Sequence, residues 1–180
     1  MCRDNPRIVP TTTHTALDLY HYMHHLLLLQ VGKTKTPYIQ EGILELTRQL
    51  KKFCRIEIKT IEEGKFLSPE MIEKERKDET LRIIKHIPEG IPVIYLDVLG
   101  KSFSSETFAQ MLIDACGKGG KCIFIIGGAY GINEEVMKKI PLIRISLSSL
   151  TFTHQMVRLI LLEQLYRAYS IIAGTSYHHS

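Results

Sequence analysis

Several familiar routes to an active site are missing from this chain. Its four cysteines, Cys2, Cys54, Cys116 and Cys122, form no Cys-x-x-Cys pair. The Gly-Lys-Gly-Gly-Lys run between Cys116 and Cys122 therefore has no second half with which to close a zinc knuckle. No Gly-x-Gly-x-x-Gly is present, which disfavours a dinucleotide-binding dehydrogenase, and no Gly-Lys-Ser/Thr stands four spacers after a glycine, as a P-loop needs. No apolar run is long enough to span a bilayer, and the four leucines at 26–29 make too short a core for a signal peptide. Charge is not extreme either: the net value is +4 and the isoelectric point about 8.8. That balance permits an RNA or phosphate partner without demanding one. Thiols without a pairing pattern are expected to be buried and reduced, in a cytoplasmic protein.

What is there is an ordinary globular composition, 44% hydrophobic and 23% charged over 180 residues, enough for one domain with a proper core. Residues 1–22 carry no clear period and read as a disordered extension, leaving a single domain at 23–180. His14, His21, His24 and His25 have no cysteine and no cluster of acidic co-ligands among them, Asp18 standing alone. They read as scattered surface histidines, with no metal site.

From there the pattern alternates. Residues 25–31 read as a buried strand ending at Gly32, and Thr36-Pro37 starts a helix to about 52. Residues 55–61 alternate as an edge-like strand does, and Ser68-Pro69 opens a charge-dense helix to about 86. Residues 91–96 and 121–126 are continuous apolar runs, as in the centre of a parallel sheet. Ser104 caps a helix at 106–116, Asn133 caps a short one, and 142–145 is the last strand. The result is α/β with a mostly parallel sheet. In such sheets ligands sit at the carboxyl ends of the strands; here those ends are 96–100, 127–131 and 146–152. The final helix, 155–172, is apolar on nearly every side and must bury more than one face. One face is expected on the sheet and another on a second subunit.

Two features at the strand ends point to chemistry. Gly127, Gly128 and Gly131 form a strand-to-helix turn, which is either a close approach to a cofactor or a purely structural turn. His154 stands at the start of the last helix, where the helix dipole favours the neutral imidazole. Glu163 and Arg167, four apart, read as a structural pair, and the C-terminal Tyr-His-His-Ser as a frayed end.

Taken jointly, YLDVLGKSFSSETFA, FIIGGAYG, ISLSSLTFTHQMVRLILLEQLYRAYSI, the early VGK at 31–33 and the terminal Tyr177-His178 resemble the RlmH (YbeA-like) family. These are SPOUT-class methyltransferases of N3 of a pseudouridine in large-subunit (23S) ribosomal RNA. The resemblance runs from about 26 to 179. It implies a C-terminal trefoil knot, a homodimer completing the active site, and S-adenosylmethionine as cofactor. It assigns cofactor contacts to Leu96, Gly127, Leu147, Ser148, Ser149, Leu150, Thr151 and Phe152, with any side chain at Gly127 intruding on the cofactor. The chain departs from the family pattern at Ala129, where proline is common, and in Phe152-Thr153-His154, where Leu-Pro-His is usual. A third departure is His179, which replaces a basic residue and would grip RNA weakly at neutral pH.

N3 of a pseudouridine carries a proton that must leave before methylation, so a positioned base is expected. The candidates are His154, or Tyr177 and His178 of a tail reaching across the dimer. Lys33, Lys35, Arg158, Arg167 and His179 are candidate RNA contacts, with a buried structural role the preferred reading for Arg158 and Arg167. The expected partners are large-subunit RNA, on assembled ribosomes, and a second copy of the chain, with no membrane. Alternatives are a SPOUT methyltransferase of transfer RNA, or a non-catalytic RNA-binding or ribosome-assembly protein on the same scaffold.

Overall fold

The computed structural model describes residues 24–65 and 68–175. The extension at 1–22 and the tail residues Tyr177, His178 and His179 lie outside the described residues. Strands β1 (His24–Val31), β2 (Cys54–Ile61), β3 (Val93–Ser102), β4 (Lys121–Ile126) and β5 (Leu142–Ser146) alternate with helices α1 (Pro37–Leu50), α2 (Ile72–Ile84), α3 (Ser105–Cys116), α4 (Glu134–Met137) and α5 (Met156–Ile172). The five strands form one parallel sheet in the order β2-β1-β4-β3-β5.

The sheet is buried on both faces, which is why its inner strands are apolar without alternation. Leu26, Leu28, Ile94, Cys122 and Phe124 point into a core shared with α3 and α5. Their neighbours Leu29, Val31, Val93, Tyr95, Ile123 and Ile125 point the other way, into a core closed by Ile83 of α2 and Met137 of α4. The caps read from sequence form as expected: Ser104 Oγ accepts from Thr107 N at 3.2 Å, and Asn133 Oδ1 from Val136 N at 2.9 Å.

Two expectations are corrected. His24 is no surface residue: it is 8% exposed, and its Nδ1 lies 2.9 Å from the Tyr169 hydroxyl. The third strand does not stop at Leu96. Both Leu96 and Lys101 stand in register with Ile145, so residues 97–100 loop out as a finger and the strand resumes to Ser102. At the foot of the finger Asp97 Oδ1 accepts from Leu99 N at 3.0 Å and Oδ2 from Arg144 at 2.7 Å.

The apolar helix α5 finds neighbours on two sides within the chain, packing against α1 and α3. Gly42 of α1 lets it approach closely, since a Cβ there would lie 2.6 Å from Leu159 Cδ1. Val157, Tyr166, Ile171 and Ile172 pack on the first core. The second buried face therefore does not by itself require a second subunit. Glu163 and Arg167 pair at 2.9 Å, as their spacing suggested. Cys54, Cys116 and Cys122 are free and buried. No group of metal ligands forms among the described residues, and no helix among them is long and apolar enough to cross a membrane.

Candidate active site

The carboxyl ends of β3, β4 and β5 open onto a cavity of about 770 Å³. Leu96, Ile126, Ile145 and Leu147 give it apolar walls, and Gly127 and Gly128 form one edge. Its opposite side is the segment between β5 and α5, which is folded on itself. Ser146 Oγ donates to Ser148 O at 2.8 Å, and Leu150 N donates to Ser148 Oγ at 2.9 Å. These local bonds compete with helix and hold the segment as a loop. They leave Leu150 and Phe152 at the mouth, 71% and 41% exposed.

Of the expected cofactor contacts, Leu96, Gly127, Leu147, Ser148, Leu150 and Phe152 line the cavity; Ser149 and Thr151 share the loop but are not part of the lining. Gly127 is also confined by its own turn. A Cβ there would lie 3.3 Å from the Cα of Gly131, which borders the cavity with it. The turn it belongs to is closed by Gly131 N donating to Gly128 O at 3.0 Å, with Gly131 at φ +71°. Gly128 is hemmed in from behind, since a Cβ there would lie 2.8 Å from Glu79 Oε2.

That Glu79 is a buried neighbour of the glycine turn which sequence reasoning missed, because it sits inside a charge-dense helix that reads as a solvated face. It is 1% exposed; Oε1 accepts from Gly64 N at 2.6 Å, while Oε2 has no protein partner. Burial pushes its pKa up, against the pull of the Gly64 amide.

His154 lines the same cavity. Thr153 caps the helix behind it: Met156 N donates to Thr153 Oγ1 at 3.2 Å and Val157 N to Thr153 O at 3.0 Å. The neutral imidazole is favoured, as expected, but the leading cause is burial. The positive charge of Arg158 comes next, and Glu63 opposes both.

Lys33 and Lys35 are exposed on the loop between β1 and α1. Arg158, proposed from sequence as an RNA contact, is not exposed at all. Its guanidinium donates to Val31 O and, at 2.7 Å, to Thr34 Oγ1. In this arrangement it is a structural residue, the preferred reading of the sequence. Gln155, a cavity residue with no signal in the sequence, holds the same loop from one turn earlier.

Residues 24–178 match the family described as "Predicted SPOUT methyltransferase". The chain belongs to that family. Among curated relatives, the ribosomal RNA large subunit methyltransferase H of Halothermothrix orenii is 41% identical over 155 residues, spanning 84% of this chain and 97% of the relative. The protein of the same name from Acetivibrio thermocellus is 39% identical over 157 residues, spanning 85% and 98%. These matches set the chain within the methyltransferase H group of SPOUT proteins. A solved Legionella pneumophila protein, described as a methyltransferase in complex with the cofactor SAM, aligns with a TM-score of 0.45 at 12% identity, covering 79% of this chain and 65% of that one.

Proposed function

We propose that this SPOUT protein transfers a methyl group from S-adenosylmethionine to N3 of a pseudouridine in large-subunit ribosomal RNA, on assembled ribosomes in the cytoplasm. The observation that carries the reading is the position of His154, held toward its neutral form at the edge of an apolar-walled cavity built from three strand ends. The names of the curated relatives supply the substrate class.

The residues present suit such a cofactor. Small-molecule sites enclose about 300–1,000 Å³ and are mostly apolar with a few polar groups; this cavity, about 770 Å³, falls in that range. Leu96, Ile126, Ile145 and Leu147 would receive the flat purine, and the loop backbone at 147–152 its polar edge. Bound there, the cofactor supplies a methyl group already activated on a sulfonium.

The protein's own task is then alignment and one proton. Lys33 and Lys35 offer positive charge to RNA phosphates beside the cavity. His154 accepts the N3 proton as N3 takes the methyl group. Burial, and then the charge of Arg158, disfavours the imidazolium, so the proton passes on to solvent and the base is reset. Tyr177 and His178 of the tail are the rival base, contributed from a second copy of the chain in a homodimer, and His179 adds a weaker RNA contact. A trefoil knot in the C-terminal half would keep the loops at 96–100, 127–131 and 146–152 together.

Radiolabelled methyl transfer to 70S ribosomes, with mapping of the modified base, tests the reaction. Label at N3 of a large-subunit pseudouridine is the expected result; label in transfer RNA only, or none, overturns it. Sedimentation tests the composite site: a stable monomer near 20.6 kDa at micromolar concentration removes the basis for a shared tail.

A further inference from the structure

The loop at 32–36, which carries Lys33 and Lys35, is gripped from one side by the first turns of α5. Gln155 Oε1 accepts three hydrogen bonds: from Lys35 N at 2.7 Å, Thr36 N at 3.2 Å and Thr36 Oγ1 at 3.3 Å. Two of these donors are backbone N–H groups, so the group facing them must be the amide oxygen. One turn on, the fully buried Arg158 spans Val31 O and Thr34 Oγ1 with two separate nitrogens. A planar guanidinium can hold two acceptors in a fixed relation, whereas a lysine ammonium is a point charge on a flexible stem. From within, Gln40 Nε2 donates to Thr34 O at 2.6 Å. The backbone of a loop tip is normally left to water; here a helix more than a hundred residues away in sequence takes up its groups from Val31 to Thr36.

The same two side chains closely follow His154, which leads into α5. Gln155 follows it directly, and Arg158 lies one turn on, close enough for its charge to act on the imidazole. Gln155 and Thr36 also border the cavity together. We propose that Gln155 and Arg158 are positioning residues which fasten the lysine loop to the start of α5 beside His154, so that Lys33 and Lys35 are held where they bind an RNA phosphate backbone next to the methyl-transfer cavity. This rests on the RNA-methylating reading above. The grip acts on binding geometry and not on the reacting atoms, so its loss weakens ground state and transition state alike. Such a loss raises KM and leaves kcat in place.

The test compares Gln155→Leu, which removes the acceptor, with Gln155→Glu, whose carboxylate can take the same three donors, and with Thr34→Val, which unpairs one arm of Arg158. Two readouts are taken at saturating S-adenosylmethionine: KM and kcat for large-subunit RNA in ribosomes, and hydrogen exchange at the Lys35 and Thr36 amides. In Gln155→Leu the two amides exchange faster and KM rises about tenfold with kcat within twofold. Gln155→Glu restores both, and Thr34→Val raises KM by a smaller factor without freeing those amides. Faster exchange with unchanged KM, or a fall in kcat and melting temperature that Gln155→Glu does not restore, overturns the positioning role. If the parent protein methylates no ribosomal RNA, the functional reading fails. The exchange data and filter binding of ribosomal RNA then still decide the clamp: faster exchange with about tenfold weaker retention upholds it, and unchanged retention overturns it.

Discussion

Gly100 and Ile145 touch backbone to backbone: a Cβ on Gly100 would lie 2.5 Å from the Ile145 carbonyl carbon and 2.6 Å from its nitrogen. This contact lets β3 return to register with β5 after its finger, and Ile145 also walls the cavity. Gly100→Ala has nowhere to put its methyl except by parting the two strands. Overpacking of this kind costs about 1–3 kcal/mol. The urea midpoint should fall with an unchanged slope, and affinity for S-adenosylmethionine should fall with it. A variant as stable as the parent would mean that the strands separate freely there.

His154→Asn tests the base. If His154 accepts the N3 proton, turnover should drop by about a hundred- to ten-thousand-fold, the usual worth of a positioned acid–base group. Burial and Arg158 hold its pKa below the ordinary 6.5. The acid limb of kcat/KM in the parent should therefore lie below pH 6.5 and vanish in the variant. A limb that survives assigns the proton to another group.

Glu79 makes a pH prediction of the opposite sign. Its pKa is raised above 4.5 by burial, so the folded chain holds a proton that the unfolded chain has already lost. Its contribution to stability is complete below pH 4.5 and fades as pH rises through the raised folded value. Glu79→Gln removes the charge and should melt about 2–4 °C higher at pH 8, a shift of the size that about 1 kcal/mol gives. The gain should shrink toward pH 5, and calorimetry across that range checks it. A lower melting temperature at pH 8 would mean that the carboxylate is compensated.

Deleting residues 177–180 separates a working tail from a frayed one. Folding and cofactor affinity should stay near those of the parent, while methyl transfer to intact ribosomes falls about a hundredfold or more. Full turnover at saturating cofactor would leave His154 as the base.

Elements governed by short-range rules were legible in the sequence. Ser104 and Asn133 cap where expected because a cap needs only its own first turn. The inner strands declared themselves by unbroken apolar runs, and the cavity's loops by standing at their ends. What stayed hidden depends on partners far along the chain. Arg158 could be placed only once β1 lay beside α5, 127 residues from its Val31 acceptor. Glu79 was concealed by the charged residues around it, since no local pattern marks which one of a charged run turns inward. The return of β3 after its finger depends on Gly100 meeting the distant Ile145, a partner that residues 97–100 do not announce. The second face of α5 was read correctly as buried, but the neighbours it packs on here lie within the chain.

The burial of the thiols has a practical side. Cys54, Cys116 and Cys122 are each 2% exposed or less, and they lie at the starts of β2 and β4 and the end of α3. The cavity opens at the other ends of the strands. With Cys2 replaced by serine, a cysteine introduced at Leu99, which is 90% exposed on the finger, would be the accessible thiol among the described residues. A fluorophore attached there would report the approach of RNA to the cavity's rim in real time, without a label on the nucleic acid.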